Sequence, residues 1–255
     1  MLILRSSSTF TVPKGVKKID VFCVGGGASG QKGSIFGGFT NSSGFYCFSD
    51  AYGAGGGGGY TATKLGVDVN PGDAIAVTVG SGGISGTNIV GTVHGGSSSV
   101  GSICSANGGA SDGSGGSGGG SGNIWYDPEG PTGGSGFSIW GSDGYSDGNP
   151  INEHKIYFDP TNSFIRLKGQ GTTTRYFGES TGTLYAGGGA GGGRPSASAF
   201  DKVNAGGSGG GGSFENYGAI SNNGGTNTGG GGAGSIMMRT PSSGGSGICI
   251  IRWGK

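Results

Sequence analysis

Gly55-Gly56-Gly57-Gly58-Gly59 is the stretch that decides how this chain folds. Five consecutive glycines have no side chain to bury, and glycine loses more backbone freedom on folding than any other residue. Only backbone N–H and C=O groups remain to order such a run. The run has companions on both sides. Gly25-Gly26-Gly27 precedes it. Gly113 to Gly122, interrupted by Ser114, Ser117 and Ser121, follows, then Gly187 to Gly193 with Ala190, Gly209 to Gly212, and Gly229 to Gly234 with Ala233. Glycine supplies 69 of the 255 residues, about 27 %, against an average near 7 %. Hydrophobic residues reach only 31 %, which excludes a large conventional core.

One ordered state suits this composition. A threefold polyproline-II-type helix rises about 3.1 Å per residue without internal hydrogen bonds. Its peptide groups point outward at three angles. Neighbouring helices made of glycine can therefore approach and bond to one another in a lattice. A five-residue run spans about 15 Å at that rise. Ser and Ala obstruct the approach least, and they are the residues that interrupt the runs. The competing state is a flexible Gly/Ser linker. Recurrence as separate blocks favours the lattice. With 8 prolines and no Gly-X-Y period the chain is not collagen.

Strand patterns flank the glycine blocks. Phe10, Val12, Val16, Ile19, Val21 and Cys23 read as β, with a turn at Pro13-Lys14-Gly15. Tyr60 to Val79 reads as a hairpin. Thr61, Thr63, Leu65, Val67 and Val69 alternate, Asn70-Pro71-Gly72-Asp73 turns, and Ile75, Val77 and Val79 alternate again. Ile248-Cys249-Ile250-Ile251-Arg252-Trp253 reads as a central buried strand. The expected fold is a single domain over 1–255, mostly β and irregular with almost no α-helix. Its β-sandwich-like scaffold comes from 8–24, 60–80 and 246–254 and clamps a polyglycine-helix body from 25–59, 81–140 and 186–245. Residues 141–185 form a low-glycine aromatic insertion. Lys155 to Phe158 and Phe164 to Leu167 are expected to make a hairpin there across Asp159-Pro160-Thr161-Asn162.

The composition also bounds function. A formal net charge of +1 gives no basic surplus for nucleic acid. No apolar stretch approaches the roughly 20 residues of a membrane span. Met1 to Leu4, followed by Arg5, is too short for the apolar region of a secretion signal. The four cysteines, Cys23, Cys47, Cys104 and Cys249, form no C-x-x-C pair, so free buried thiols are expected rather than zinc or a disulfide scaffold. G-x-G-x-x-G matches arise by chance among so many glycines and open no amphipathic helix, so no dinucleotide site is expected. Gln31-Lys32-Gly33 is no phosphate loop. His94 and His154 lack motif context. Asp143 and Asp147 lack the spacing and closing glutamate of a calcium loop and read as a polar turn. Asn41-Ser42-Ser43 fits a glycosylation acceptor, relevant only in a eukaryotic secretory setting. No catalytic residue, metal or cofactor is expected, and the chain reads as a non-enzyme. The candidates for recognition are aromatic: Trp125, Tyr126, Trp140 and Tyr145 in glycine-rich or turn-like surroundings, and Tyr157 in the insertion. Such rings either stack on sugars and anchor protein contacts or staple the glycine body.

Several blocks, in order, carry a resemblance. Phe10-Thr-Val-Pro13-Lys-Gly15-Val16 with Ile19-Asp-Val21 and Val24-Gly-Gly-Gly27 opens the series. Val69-Asn-Pro71-Gly72-Asp73 to Gly83 is the second block. Gly169-Gln-Gly-Thr-Thr-Thr-Arg175-Tyr-Phe177-Gly178, Leu184 to Gly189, Asn227 to Gly232, and Gly244 to Trp253 complete it. Together they resemble the glycine-rich domain of bacteriophage and prophage tail proteins. Tyr185-Ala-Gly-Gly-Gly189 is also similar to a tract in the glycine-rich domain of anaplastic lymphoma kinase receptors, without the disulfide-rich flanks expected there. The resemblance implies a bundle of polyglycine helices whose connecting loops bind a receptor on the bacterial surface, a glycan or a protein. It implies a place in a virion made in the host cytoplasm, other tail or fibre proteins as partners, and a trimer or other symmetric tail assembly. Two alternatives stay open: a purely structural tail or baseplate component, and a cellular surface or spore-coat protein.

Overall fold

A computed structural model describes residues 1–40, 46–51, 53–85, 93–110, 112–120, 124–126, 137–139, 144–148, 168–192, 203–215, 220–235 and 239–254. The strands among them are, in chain order, β1 (Leu2–Leu4), β2 (Ser8–Thr11), β3 (Lys18–Val24), β4 (Ser34–Thr40), β5 (Tyr46–Ala51), β6 (Thr61–Asp68), β7 (Ala74–Thr78), β8 (Ser98–Val100), β9 (Cys104–Ala106), β10 (Ile124–Tyr126), β11 (Phe137–Ile139), β12 (Val203–Asn204), β13 (Phe214–Glu215), β14 (Ile220–Ser221) and β15 (Ile248–Arg252). One single-turn 3₁₀ helix, Tyr176–Gly178, is the helical element among the described residues. The fold is mostly β and irregular, as the composition predicts.

Two antiparallel sheets face each other, ordered β1-β15-β3-β6 and β2-β7-β8-β9. Alternation along β3 sends Ile19, Val21 and Cys23 inward, where they meet Cys249 and Ile251 of β15 and Phe10, Val77, Val100 and Cys104 of the second sheet. The other face of β3 is also buried. Phe22 and Val24, with Ile248 and Ile250, lie under Tyr176, Phe177 and Tyr185. The aliphatic runs in β3 and β15 are thus strands covered on both sides. Opposite Ile19–Val21 the register of β6 shifts at a bulge. Gly66 sits there at φ +62°, a left-handed conformation that favours glycine, and donates to Asp20 Oδ1 at 2.7 Å.

Beyond the sandwich, strands continue as glycine tracts. Residues 25–31 follow β3, 53–60 lead into β6, 242–247 lead into β15, 80–83 follow β7, 93–97 lead into β8 and 107–109 follow β9. Along the first tract the hydrogen bonds step in threes. Gly25, Ala28 and Gln31 donate to the carbonyls of Tyr60, Gly57 and Ala54, Gly26 and Ser29 to Gly96 and Val93, and Gly27 and Gly30 to Gly245 and Ser242, all at 2.8–3.0 Å. Its own carbonyls accept from Gly83, Gly109, Gly232 and Ser235. One tract therefore has six neighbours, and a repeat of three along the chain is that of the threefold polyglycine helix. Tract 53–60 repeats the pattern. Gly53, Gly56 and Gly59 donate to Ser235, Gly232 and Gly229, and Gly55 and Gly58 to Gly120 and Ser117.

Glycine is required here by distance. A Cβ on Gly55, Gly57, Gly58 or Gly59 would lie 2.0–2.1 Å from a backbone oxygen of another tract. Alanines occupy the positions that have room: Ala28, Ala54, Ala186, Ala190 and Ala233 are buried, the last two against Phe214. Buried serines add bonds of their own. The Ser98 hydroxyl donates to the Val24 carbonyl at 2.6 Å and accepts from the Gly80 N–H at 2.9 Å, joining the two sheets where they pass into the lattice.

The structure corrects three expectations. Tyr60 to Val79 is not a hairpin, because β6 pairs with β3 and β7 with β2. The Asn70-Pro71-Gly72-Asp73 turn carries the chain from one sheet to the other. Strands also interrupt the ranges assigned to the polyglycine body. β4 and β5 lie in 25–59, β8 to β11 in 81–140, and β12 to β14 in 186–245. The β8–β9 hairpin completes the second sheet, and β4, β5, β10 and β11 form a separate one in the order β11-β10-β5-β4. Finally, residues 168–185 of the segment read as an insertion belong to the core, since Tyr176, Phe177 and Tyr185 close it over β3. The hairpin expected over 155–167 lies outside the described residues.

Cys23, Cys104 and Cys249 are free thiols clustered between the sheets, each at most 3 % exposed. The Cys249 thiol donates to Cys23 Sγ at 3.7 Å, and the Cys104 thiol to the Ala62 carbonyl at 3.5 Å. Hydrogen bonding to Cys104 and Cys249, with burial, raises the Cys23 pKa far above the usual thiol range. All three thiols are shut off from solvent, and a thiol that a reagent cannot reach is unreactive whatever its charge. A short pulse of iodoacetamide should therefore leave these three cysteines unmodified in native protein and label them in denaturant, as read by peptide mass spectrometry. Native labelling at the rate of an exposed thiol would contradict the packing.

Candidate functional site

The lattice fixes backbone, so any recognition falls to side chains at its edges. A cleft of about 300 Å³ opens where three such edges meet. It is lined by Tyr60, Asp112, Ser114, Lys168, Gly169 and Gln170.

Each wall is tied to the lattice through main chain. Tyr60 ends the five-glycine run. Its N–H donates to the Asn107 carbonyl at 2.9 Å and its carbonyl accepts from Gly25 at 3.0 Å. The opposite wall is held by Gly115 donating to the Lys168 carbonyl at 2.9 Å and Gln170 donating to the Gly116 carbonyl at 3.1 Å. The Gln170 amide then locks this wall to the start of β6. Its Oε1 accepts from the Thr61 N–H at 2.9 Å, and its Nε2 donates to the hydroxyls of Thr61 at 2.8 Å and Thr172 at 2.9 Å. Gln170 is thus engaged in positioning. The third edge is a tight turn at Asp112-Gly113-Ser114, where Asp112 Oδ1 accepts from both the Ser114 N–H and its hydroxyl. Asp112 and Lys168 are exposed, and Tyr60 is half-buried. Neither charged group has an ion-pair partner among the described residues. The cleft therefore offers one ring, one free carboxylate oxygen and one ammonium on a rigid frame.

The matching family model is a glycine-rich domain, covering residues 4–254. The chain belongs to that glycine-rich domain family. No curated protein matches the chain. Within this glycine-rich domain the aromatic candidates separate. Trp125 and Tyr126 are on β10, between β11 and β5, with Trp125 opposite Asp50 and Ser138 and Tyr126 opposite Ser49 and Phe137. They stand in a sheet rather than in turn-like surroundings. Tyr145 is half-buried, and its backbone is a lattice element, donating to Gly118 and accepting from Gly188. Trp140 and Tyr157 lie outside the described residues. The structure does not bring Tyr145 to the cleft. Asp147 makes a polar turn at φ +55°, accepting from the Thr173 hydroxyl and the Thr174 N–H and pairing with Arg175 at 3.4 Å. Tyr60, Asp112 and Lys168 were all missed from sequence, and only Tyr60 carries a signal there. Its signal is an aromatic side chain placed directly where a pure glycine run ends.

Proposed function

We propose that this glycine-rich domain is a non-enzymatic adhesin of a phage tail tip or tail fibre, which attaches to a receptor on the bacterial surface. The observation that carries this reading is the cleft at Tyr60, whose walls are fixed by lattice hydrogen bonds. A ligand bound there orders little protein, so few of its contacts are offset by lost freedom. The ordered series of sequence blocks resembling phage tail proteins supplies the setting. In it the domain sits in the virion with other tail proteins and meets a cell-surface glycan or protein. Retention of the fluorescently labelled, purified chain on Gram-negative and Gram-positive cells and on their isolated walls tests this. Saturable retention on at least one of them is expected. No retention on any would remove the adhesin reading and favour a purely structural tail component.

A further inference from the structure

Resting on the reading of this domain as a binding module, we infer that the Tyr60 cleft takes one neutral hexopyranose unit of a glycan chain. Three features of the cleft select that chemistry.

Size is the first. About 300 Å³ is the small end of the roughly 300–1,000 Å³ typical of ligand sites, which suits a single ring. The aromatic wall is the second. A pyranose has an apolar face of C–H groups, and a tyrosine ring offers large, rigid contact area at low entropic cost. The phenol of Tyr60 makes no hydrogen bond within the protein among the described residues, so it is free to meet a hydroxyl.

Charge is the third, and it discriminates best. Asp112 and Lys168 put opposite charges on the same cleft. A phosphate or carboxylate ligand would gain Lys168 and be repelled by Asp112. A cation would meet the reverse. A vicinal diol satisfies both, because a hydroxyl donates to the carboxylate while its oxygen, or its neighbour's, accepts from the ammonium. The carboxylate is already oriented for this. Ser114 occupies Oδ1 and leaves Oδ2 for the ligand. Bonds to charged groups are the stronger kind, which suits a weak ligand with few contacts.

The test uses the purified full chain and saturation-transfer NMR with the methyl glycosides of glucose, galactose, mannose and N-acetylglucosamine. Glucuronate, inorganic phosphate and choline are the charged comparators. Transfer to the ring protons of at least one neutral glycoside is expected, with a dissociation constant of about millimolar order. Tyr60→Ala should weaken it about tenfold by removing the stacking face. The lattice bonds of Tyr60 are made by its backbone, which alanine retains, so the variant keeps the lattice. Asp112→Asn and Lys168→Met, both at exposed positions, should each weaken it about three- to tenfold without a change in melting temperature. The assignment falls if no neutral glycoside shows transfer, if glucuronate, phosphate or choline binds more tightly, or if all three variants titrate like the parent. Cell retention of the same variants separates this from the adhesin reading. Cells that retain Tyr60→Ala as well as the parent overturn the cleft as the glycan site and leave attachment standing. Glycoside binding without cell retention leaves the cleft assigned and removes attachment.

Discussion

Gly27→Ala should lose about 3–5 kcal/mol of stability, a large fraction of the roughly 5–15 kcal/mol that an ordinary domain has. Gly27 lies in the six-neighboured tract 25–31. A Cβ there would sit 2.0 Å from the Gly230 oxygen and 2.4 Å from its carbonyl carbon. Both atoms are backbone, so no rotamer change relieves the clash. Tract 229–235 would have to move away, and its Gly232 and Ser235 bonds to the Ala28 and Gln31 carbonyls would stretch with it. Each buried peptide group left unpaired costs about 1–3 kcal/mol. The backbone at Gly27 is not left-handed, so space alone forbids the side chain. Ala28→Gly is the matched control, in the next position of the same tract. It removes a tolerated Cβ and should cost under about 1 kcal/mol through added freedom of the unfolded chain. Guanidinium denaturation of both variants reads the difference. If Gly27→Ala unfolds within about 1 kcal/mol of the parent, the tracts are not in lattice contact.

That contrast explains why the lattice was legible in the sequence. Excluding every Cβ is a constraint on composition, and composition is what sequence shows directly. Ala and Ser appear inside the runs where the structure has room for them. The strands β3, β7 and β15 were legible for a similar reason, since their alternation or apolar run states how many faces are buried. Pairing was not legible. Asn70-Pro71-Gly72-Asp73 suits a hairpin and a crossover between sheets equally well, because a turn's chemistry is local. The choice is made by Phe10 and Ile75 facing each other on β2 and β7, far apart in the chain. The strand β4 was hidden by Gly37-Gly38, which read as part of the glycine body. The cleft was hidden by sequence distance. Gln170 meets Thr61 across 109 positions, and Tyr60 alone carries no motif. Trp125, Tyr126, Trp140 and Tyr145 were conspicuous because they stood in glycine-rich or turn-like sequence, yet Tyr145 contributes its backbone to the lattice.

The lattice also sets how the conventional core responds to damage, and Phe22→Ala is the substitution that should show it. The Phe22 ring is 1 % exposed. It touches Tyr185, Phe177 and Tyr176 at centroid distances of 5.5, 5.8 and 6.2 Å. Truncation to Ala should cost about 3–5 kcal/mol, with the upper part of that range expected where the surroundings cannot collapse into the cavity. Three restraints oppose collapse here. The strand carrying Phe22 runs straight into tract 25–31, so it cannot shift without breaking lattice bonds. Tyr185 is followed by Ala186, whose N–H donates to the Thr228 carbonyl at 2.8 Å. Phe177 is capped by the Arg252 guanidinium, 3.9 Å from its ring centre, which is itself fixed by Asp20 at 2.8 Å and Glu179 at 2.6 Å. Phe22→Leu keeps most of the volume and should cost no more than about 1.5 kcal/mol. Guanidinium midpoints at unchanged m-value read both. A Phe22→Ala loss near 1 kcal/mol would mean that the aromatic cap follows the vacancy inward, and residues 168–185 would then be a soft cover, not a wall fixed to the glycine lattice.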